Sequence, residues 1–558
     1  NGEIYNYKKL RDILKDRGYK FYTNSDTEVL LKCYEEYGLK FLNKLRGMFA
    51  FCIWDGRKKK LILARDRLGQ KPLYYYSNRK IFAFSSEINS LISGLNNQFS
   101  IDPEGLNHYL TLDYIPAPLS IYKGIKKIPA AHFLVCNYDK LKINKYWHID
   151  DFVKPKPQKI SYEDSKEHLK KLLFEAVNIR LMSEVPLGAF LSGGIDSSII
   201  VSIMAMQSKK SVNTFSIGLK NNESSELNYA RKVSEYFGTN HTEFEIDIDN
   251  YQILPDIIDM FGEPFSDSAS SLNFYVSKLA KEHITVALSG DGGDEIFAGY
   301  QWYERFLRDN YFNNNKEISK ISSFLYNIWP NTFRGKKRLD HLRHNNNYQI
   351  YSMMKNRFPD HTRKQLFTKN FIKFLDQNNK ENLLLKHCRE SESKDLLMMM
   401  QMTDIKTYLA DDINVKVDRM SMQNSIEVRS PLLDHKLIEF CLSMPDSFKI
   451  NQNKQKYIIK DLFKSILPEN TLSREKQGFG LPSNKSTQKN LDSLFEFSKD
   501  ILYDPSAVKR GFYNYKYLNI LLLNHKLGIS DPTVSFNQIW NLITLELWFQ
   551  NNNNNFII

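Results

Sequence analysis

The chain has 558 residues, 42% of them hydrophobic and 13% aromatic, enough to bury substantial cores and too many for a single one, so two or more domains are expected. Its formal charge of +13 accompanies a visible excess of Asn, Ile and Lys, as in "NNNKEISKISSFLYNIW". That bias fits an A+T-rich genome, and with no Arg/aromatic platform or nucleic-acid motif beside it the surplus lysine reads as solvated surface, which excludes a nucleic-acid partner.

The chain opens on "NGEIYNYKKLRDIL" with Asn rather than Met and without an obvious cap or strand before its first helix, and it reads as a fragment. Residues 1–150 then alternate helices and strands. Apolar positions near Tyr7, Leu10, Ile13 and Leu14 mark one amphipathic helix, and Glu28 to Tyr37 carry another. "MFAFCIWDGRKKKLILARDRL" reads as a hairpin about Asp55-Gly56, and "PLYYYSNRKIFAFSSE" as a second about Asn78. Prolines and lysines in "DFVKPKPQKI" break both periods and place a linker at 151–160.

Beyond it, residues 161–558 change grammar. "VPLGAFLS" leads to the helical "DSSIIVSIMAMQ", "VNTFSIGL" to "ELNYARKVSEYFG", then "TEFEIDI", and "HITVALSG" to "DEIFAGYQWYERF". That is a parallel sheet wrapped by helices. From about Tyr303 onward the pattern is mostly helical. Five scattered cysteines (Cys33, Cys52, Cys136, Cys388, Cys441) fit neither a disulfide framework nor a zinc site. No run of about 18 apolar residues suggests a membrane span and no signal peptide is evident, so a cytoplasmic protein with no membrane partner is expected.

The sharpest signal is Ser192-Gly193-Gly194-Ile195-Asp196-Ser197-Ser198 between a strand and a helix. Glycines admit close approach of a ligand, and N–H groups at a helix start cradle an anion. Asp196 beside a phosphate implies a divalent cation, so the expected ligand is a Mg-bound polyphosphate. The run is neither a Walker A loop nor a dinucleotide fingerprint, and S-G-G-x-D-S resembles the PP-loop of ATP pyrophosphatases. A second, acidic loop, Ser289-Gly290-Asp291-Gly292-Gly293-Asp294-Glu295, follows another strand. In a parallel sheet both loops share one edge, where its carboxylates serve as Mg²⁺ ligands or a base, or else as helix caps. Ile217-Gly218, at the exit of a third strand, suits either a nucleoside or a core.

"FLSGGIDSSI", "TFSIGL", "ALSGDGGDEIFAGY", "VDRMSMQNSIEVRSPLLDHKLIEF" and "SREKQGFGLP" together resemble a bacterial glutamine-hydrolysing asparagine synthetase, and "NGEIYNY", "SDTEVLL", "LRGMFAF" and "ARDRLGQKPLYYY" resemble its glutaminase half. The resemblance implies an αββα N-terminal-nucleophile sandwich followed by an α/β PP-loop domain with a helical extension. It implies ATP and pyrophosphate at Leu191, Ser192, Gly193, Gly194, Asp196, Ser197, Ile217, Ser289 and Gly290, with Mg²⁺ on Asp196 and Asp294. Asp291 and Lys476 are then catalytic, and Arg429 lies on the acceptor side. Asn1 and Gly2 form an oxyanion hole and Glu3 and Asp26 meet glutamine. The family nucleophile is an N-terminal cysteine, which this chain begins after, so the glutaminase half is expected to be inactive as it stands. The implied partners are ATP, aspartate, and glutamine or ammonia, with a homodimer left open. The alternatives are a related amidotransferase or a β-lactam-synthetase-like enzyme acting on another carboxylate, and a non-catalytic descendant.

Overall fold

A computed structural model describes residues 1–97, 99–137, 140–153, 160–220, 226–246, 251–313, 316–329, 335–344, 346–378, 382–391, 395–452, 454–474, 480 and 488–552. Most of the expected linker, and Lys476, lie outside the described residues.

The first half is built from β1 (Gly2–Ile4), α1 (Tyr7–Asp16), α2 (Asp26–Tyr37), β2 (Gly47–Asp55), β3 (Lys60–Arg65), β4 (Tyr74–Ser77), β5 (Phe82–Ser85), α3 (Ile88–Leu95), α4 (Pro103–Leu112), β6 (Ile125–Lys127), β7 (His132–Cys136) and β8 (Leu141–Lys145). β2–β3 and β4–β5 are the two expected hairpins. Strand order is β1-β2-β3-β7-β8 in one antiparallel sheet and β5-β4-β6 in the other. Leu10 and Leu14 of α1 and Val29 and Cys33 of α2 pack on Phe49, Ile53 and Ile62 of the first sheet. That sheet's other face sets Ala50, Leu63 and Leu134 against Leu73, Tyr75 and Ile128 of the second sheet. Behind the second sheet, Leu91 of α3 and Leu106 and Tyr109 of α4 close an αββα stack. Two details depart from the sequence reading. Ile13 stands 37% exposed at the edge of the apolar stripe of α1, and a strand opens the chain, pairing Gly2 with Phe49 and Ile4 with Gly47. Three residues are too short to display a period of two.

The second half begins with α5 (Tyr162–Asn178) and continues through β9 (Leu187–Phe190), α6 (Ile195–Gln207), β10 (Asn213–Leu219), α7 (Leu227–Phe237), β11 (Asn240–Ile246), α8 (Leu254–Phe261), α9 (Ala269–Ala280), β12 (Val286–Leu288) and α10 (Gly293–Ile296). The five-stranded sheet runs β11-β10-β9-β12-β13, every neighbouring pair parallel. Its fifth strand, β13 (Glu427–Arg429), comes from inside the region read as helical. The order of the sheet reverses between β9 and β12, which opens a crevice at the carboxyl ends of those strands. The expected helix through "DEIFAGYQWYERF" is broken, with Ala298 at φ +57° between α10 and the helix Gln301–Asn313. All five cysteines are free. No helix among the described residues is long and apolar enough to cross a membrane.

Cores cross from one half to the other. Leu68, Ala131 and Trp147 join Leu169, Ile199, Leu288 and Leu437, and Tyr109 donates to the Asn541 carbonyl at 2.7 Å within a cluster that includes Trp540 and Trp548. A buried charge joint accompanies them. Asp434 Oδ2 accepts from Arg46 Nε at 2.8 Å and from Arg180 Nη1 at 3.0 Å, its side chain wholly buried. Beside it, burial first, then Arg67, Arg46 and Lys436 against the opposing Asp434, push the His435 imidazole down to about 3. The unfolded chain protonates His435 near its ordinary pKa while the folded chain refuses the proton, so this stability is present above pH 6.5 and is lost as pH falls. Between pH 7 and pH 5 the loss should be about 2 kcal/mol, and His435→Gln should remove that part of the slope. Urea midpoints followed against pH test this, and an unchanged slope in the Gln variant would count against it.

Candidate functional site

Both glycine-rich loops stand at the reversal crevice. After β9, Gly193 has φ +67°, a left-handed backbone that glycine adopts at no steric cost. A Cβ there would come within 2.5 Å of the Tyr229 and Ala230 backbone on α7, so Gly193 packs the loop rather than lining the cavity. Ser192 Oγ accepts from the Gly194 N–H at 3.3 Å, Ser197 Oγ accepts from the Ser192 N–H at 3.3 Å, and the two hydroxyls lie 3.1 Å apart. The loop is thus held in shape before any ligand arrives. After β12, a Cβ on Gly290 would meet the Ser197 nitrogen at 2.6 Å, which measures how closely the two loops are pressed together. Ser289 Oγ donates to Asp291 Oδ2 at 2.8 Å.

A cavity of about 1390 Å³ opens over this junction. Leu191, Ser192, Gly194, Asp196, Ser197, Ile217, Ser289, Gly290, Asp291 and Asp294 all line it. The structure therefore gathers residues from all three strand exits around one space, whereas Gly193, Ser198 and Gly218 do not line it.

At its floor is a cation that the sequence reading missed. Lys456 precedes the helix Tyr457–Leu462 with φ +55°, and its ammonium is ion-paired with Asp196 and, at 2.7 Å, with Asp294. Its side chain is 4% exposed. Nothing in "NQNKQKYIIK" separates Lys456 from its two lysine neighbours, Lys454 and Lys460; the left-handed backbone that aims it inward is a tertiary outcome. Glu295, read from the sequence as one carboxylate of the acidic loop, turns inward. It accepts the Tyr300 hydroxyl, and burial, with Asp294 close by, pushes it up to about 8.

The same carboxylates suit a hard divalent cation. Asp196 Oδ1 is buried without a hydrogen-bond partner, and Asp196 and Asp294 already converge on one positive charge. Among the described residues no group of three or more His, Cys, Asp or Glu side chains forms a closed cage. Two carboxylates, with phosphate oxygens to complete the shell, is a donor set Mg²⁺ favours.

Arg429, expected near the acceptor side, is absent from the residues lining this cavity. Its guanidinium donates to Glu427 Oε1 at 2.6 Å and to the Arg180 and Met182 carbonyls at 3.0 and 2.6 Å, and lies 3.7 Å from Glu3 of the first half. The alternation along β13 turns this side chain toward the joint between the halves. Asn1, Gly2, Glu3 and Asp26 do come together. Asp26 Oδ2 accepts from the Ile4 N–H at 3.0 Å, fixing β1 against the start of α2. Burial, then Asp26, with Arg429 opposing, raise Glu3 to about 7.

Comparison with known proteins agrees with this geometry. Residues 168–550 match the Asparagine synthase family, and residues 1–147 match the Glutamine amidotransferase domain. The chain is 32% identical over 558 residues to "Asparagine synthetase [glutamine-hydrolyzing] 1" of Bacillus subtilis (strain 168), covering 98% of this chain and 84% of that protein. It is 30% identical to "Asparagine synthetase [glutamine-hydrolyzing] 3" of the same organism over 99% of this chain and 86% of that one. Over 339 residues, 58% of this chain and 62% of that one, it is 39% identical to "Putative asparagine synthetase [glutamine-hydrolyzing] 2" of Methanocaldococcus jannaschii. With two domain matches in the same order as the two halves of the fold, the chain belongs to the asparagine synthase family.

Proposed function

We propose that the chain is an asparagine synthetase, which amidates the side-chain carboxylate of aspartate at the expense of ATP by way of β-aspartyl-AMP. The observation that carries this is the convergence of the serine-glycine loop, the acidic loop and Lys456 on one cavity. A carboxylate is a poor electrophile, so one of its oxygens first attacks the α-phosphorus while the bond to pyrophosphate breaks. Ammonia then attacks the acyl carbon, the bond to AMP breaks, and a proton is lost from nitrogen.

The Ser192 to Ser198 loop holds the leaving pyrophosphate through N–H groups at the start of α6. Lys456 offsets the charge that grows there, and Leu191, Ile217, Ser289 and Gly290 take the adenosine. Asp291, which accepts from Ser289 Oγ, would take the proton from the attacking nitrogen. Mg²⁺ on Asp196 and Asp294 would neutralise polyphosphate charge. Asn1, Gly2, Glu3 and Asp26 form the glutamine end, where amide donors aimed at a developing oxyanion are what acyl transfer needs. ATP, aspartate and glutamine are metabolites of the cytoplasm, which supports that location.

The test is pyrophosphate and AMP release with ammonium salts and a panel of carboxylic acids. Aspartate should stand out and yield asparagine in equal amount with AMP. Preference for another acid would replace the acceptor, and no ATP-dependent release with any acid would favour a non-catalytic protein.

A further inference from the structure

Lys416 sits on the helix Asn414–Met422 and lines the cavity wall it shares with Asn273 and Val276 of α9. That wall lies beside the acidic loop, close enough for Lys416 and Asp291 to interact electrostatically. Its side chain is 11% exposed and ion-paired with Asp267. Asp267 also accepts from the Ala269 N–H at 2.8 Å and is hydrogen-bonded to Asp412. Burial first, then the neighbouring Asp267, hold Asp412 well above the ordinary carboxylate range.

Packing gives little reason for this arrangement, since a buried ion pair is often replaceable by apolar residues without loss. A lysine has three N–H donors, one of which Asp267 uses. The other cations lining the cavity come from the helix Gln301–Asn313 and from residues 454–474, whereas Lys416 is the one cation on the wall made by α9 and the helix Asn414–Met422, among the described residues.

We propose that Lys416 is the acceptor-recognition residue, its ammonium binding the α-carboxylate of an amino-acid acceptor so that the second, side-chain carboxylate is the one presented for adenylation. This rests on the reading of the cavity as an acyl-adenylating site and adds what selects its acceptor. An acid with two carboxylates must offer one and withhold the other, and a fixed cation at one end of the pocket sorts them by position.

The experiment compares aspartate with β-alanine, which is aspartate without its α-carboxylate. Half-saturation is read from pyrophosphate release or, for a ligand not turned over, from competition against aspartate. The wild-type chain should favour aspartate by about tenfold or more, as expected for a charge-assisted hydrogen bond. Lys416→Met combined with Asp267→Asn removes both charges together, so no buried ion is stranded; in it the preference should fall to within about threefold while KM for ATP shifts by less than about threefold. Lys416→Arg, which keeps the charge, should retain a preference.

Equal weakening of both acids, a retained preference in the double variant, or a shift in KM for ATP instead would overturn the assignment. Absence of any preference in the wild-type chain would overturn it whether or not the variants fold. Failure of the asparagine reading is separately visible, because the wild-type chain would then favour another acid. The same ratio, taken on that acid and its analogue lacking the second carboxylate, decides Lys416, and an acceptor with one carboxylate only would refute it.

Discussion

Lys456→Met should slow ATP-dependent pyrophosphate release at least about a hundredfold while changing KM for ATP far less. As the α-phosphorus parts from pyrophosphate, negative charge accumulates on the leaving group, and a cation fixed beside it stabilises that state more than it stabilises bound ATP. Lys456 is fixed in this sense, since its ammonium is buried between Asp196 and Asp294 and its backbone is committed to φ +55°. Arginine should not rescue the loss. Gly299 lets the Lys456 Cε pass in direct contact with its backbone, and a guanidinium has no room to follow. Single-turnover release at saturating ATP and aspartate is the measurement. A Met variant near the wild-type rate would reduce Lys456 to a counter-ion for the two aspartates.

Asp434→Ala should cost about 3–5 kcal/mol of folding stability, the range for removing one partner of a buried ion pair. Asp434 has two arginine partners, one from each half of the chain; Arg180 would keep a buried guanidinium without a carboxylate, and Arg46 would keep only the exposed Glu175. The side chain also accepts the Lys436 N–H at 3.1 Å to cap the helix His435–Ser443. A loss below about 1 kcal/mol in urea denaturation would mean that water reaches the arginines and replaces the contact.

Much of the fold, and the two glycine-rich loops that meet at the cavity, are legible in the sequence. The hairpins about Asp55 and Asn78 announce themselves by period and turn residues, and the strand-loop-helix passages at Ser192 and Ser289 by glycines placed where a chain must leave a strand and begin a helix. Once two such loops lie on parallel strands, their common edge follows from topology. What stayed hidden is of another kind. β13 has three residues, and its strand state exists because β12 offers it an edge. Arg429 was assigned from a motif, but the direction of its side chain is set by which face of β13 meets Glu3. Lys456 and Lys416 depend on long-range packing, their carboxylate partners Asp196, Asp294 and Asp267 lying far away in the sequence. Lys476 falls outside the described residues, and its catalytic role rests on the family resemblance alone.

The shared cores bear on how such a two-part enzyme can change over time. A sequence boundary near residue 150 suggests modules that recombination could exchange freely. Yet Tyr109, in the first half, is sealed by the Asn541 carbonyl and Thr544 Oγ1 at 2.7 and 2.6 Å, contributed by the helix Pro532–Asn551 at the far end of the second. Transplanting either half alone would bring a foreign surface against these positions. Successful exchange requires compensating changes more than 400 residues apart, so the pairing of the two halves is heritable as a unit.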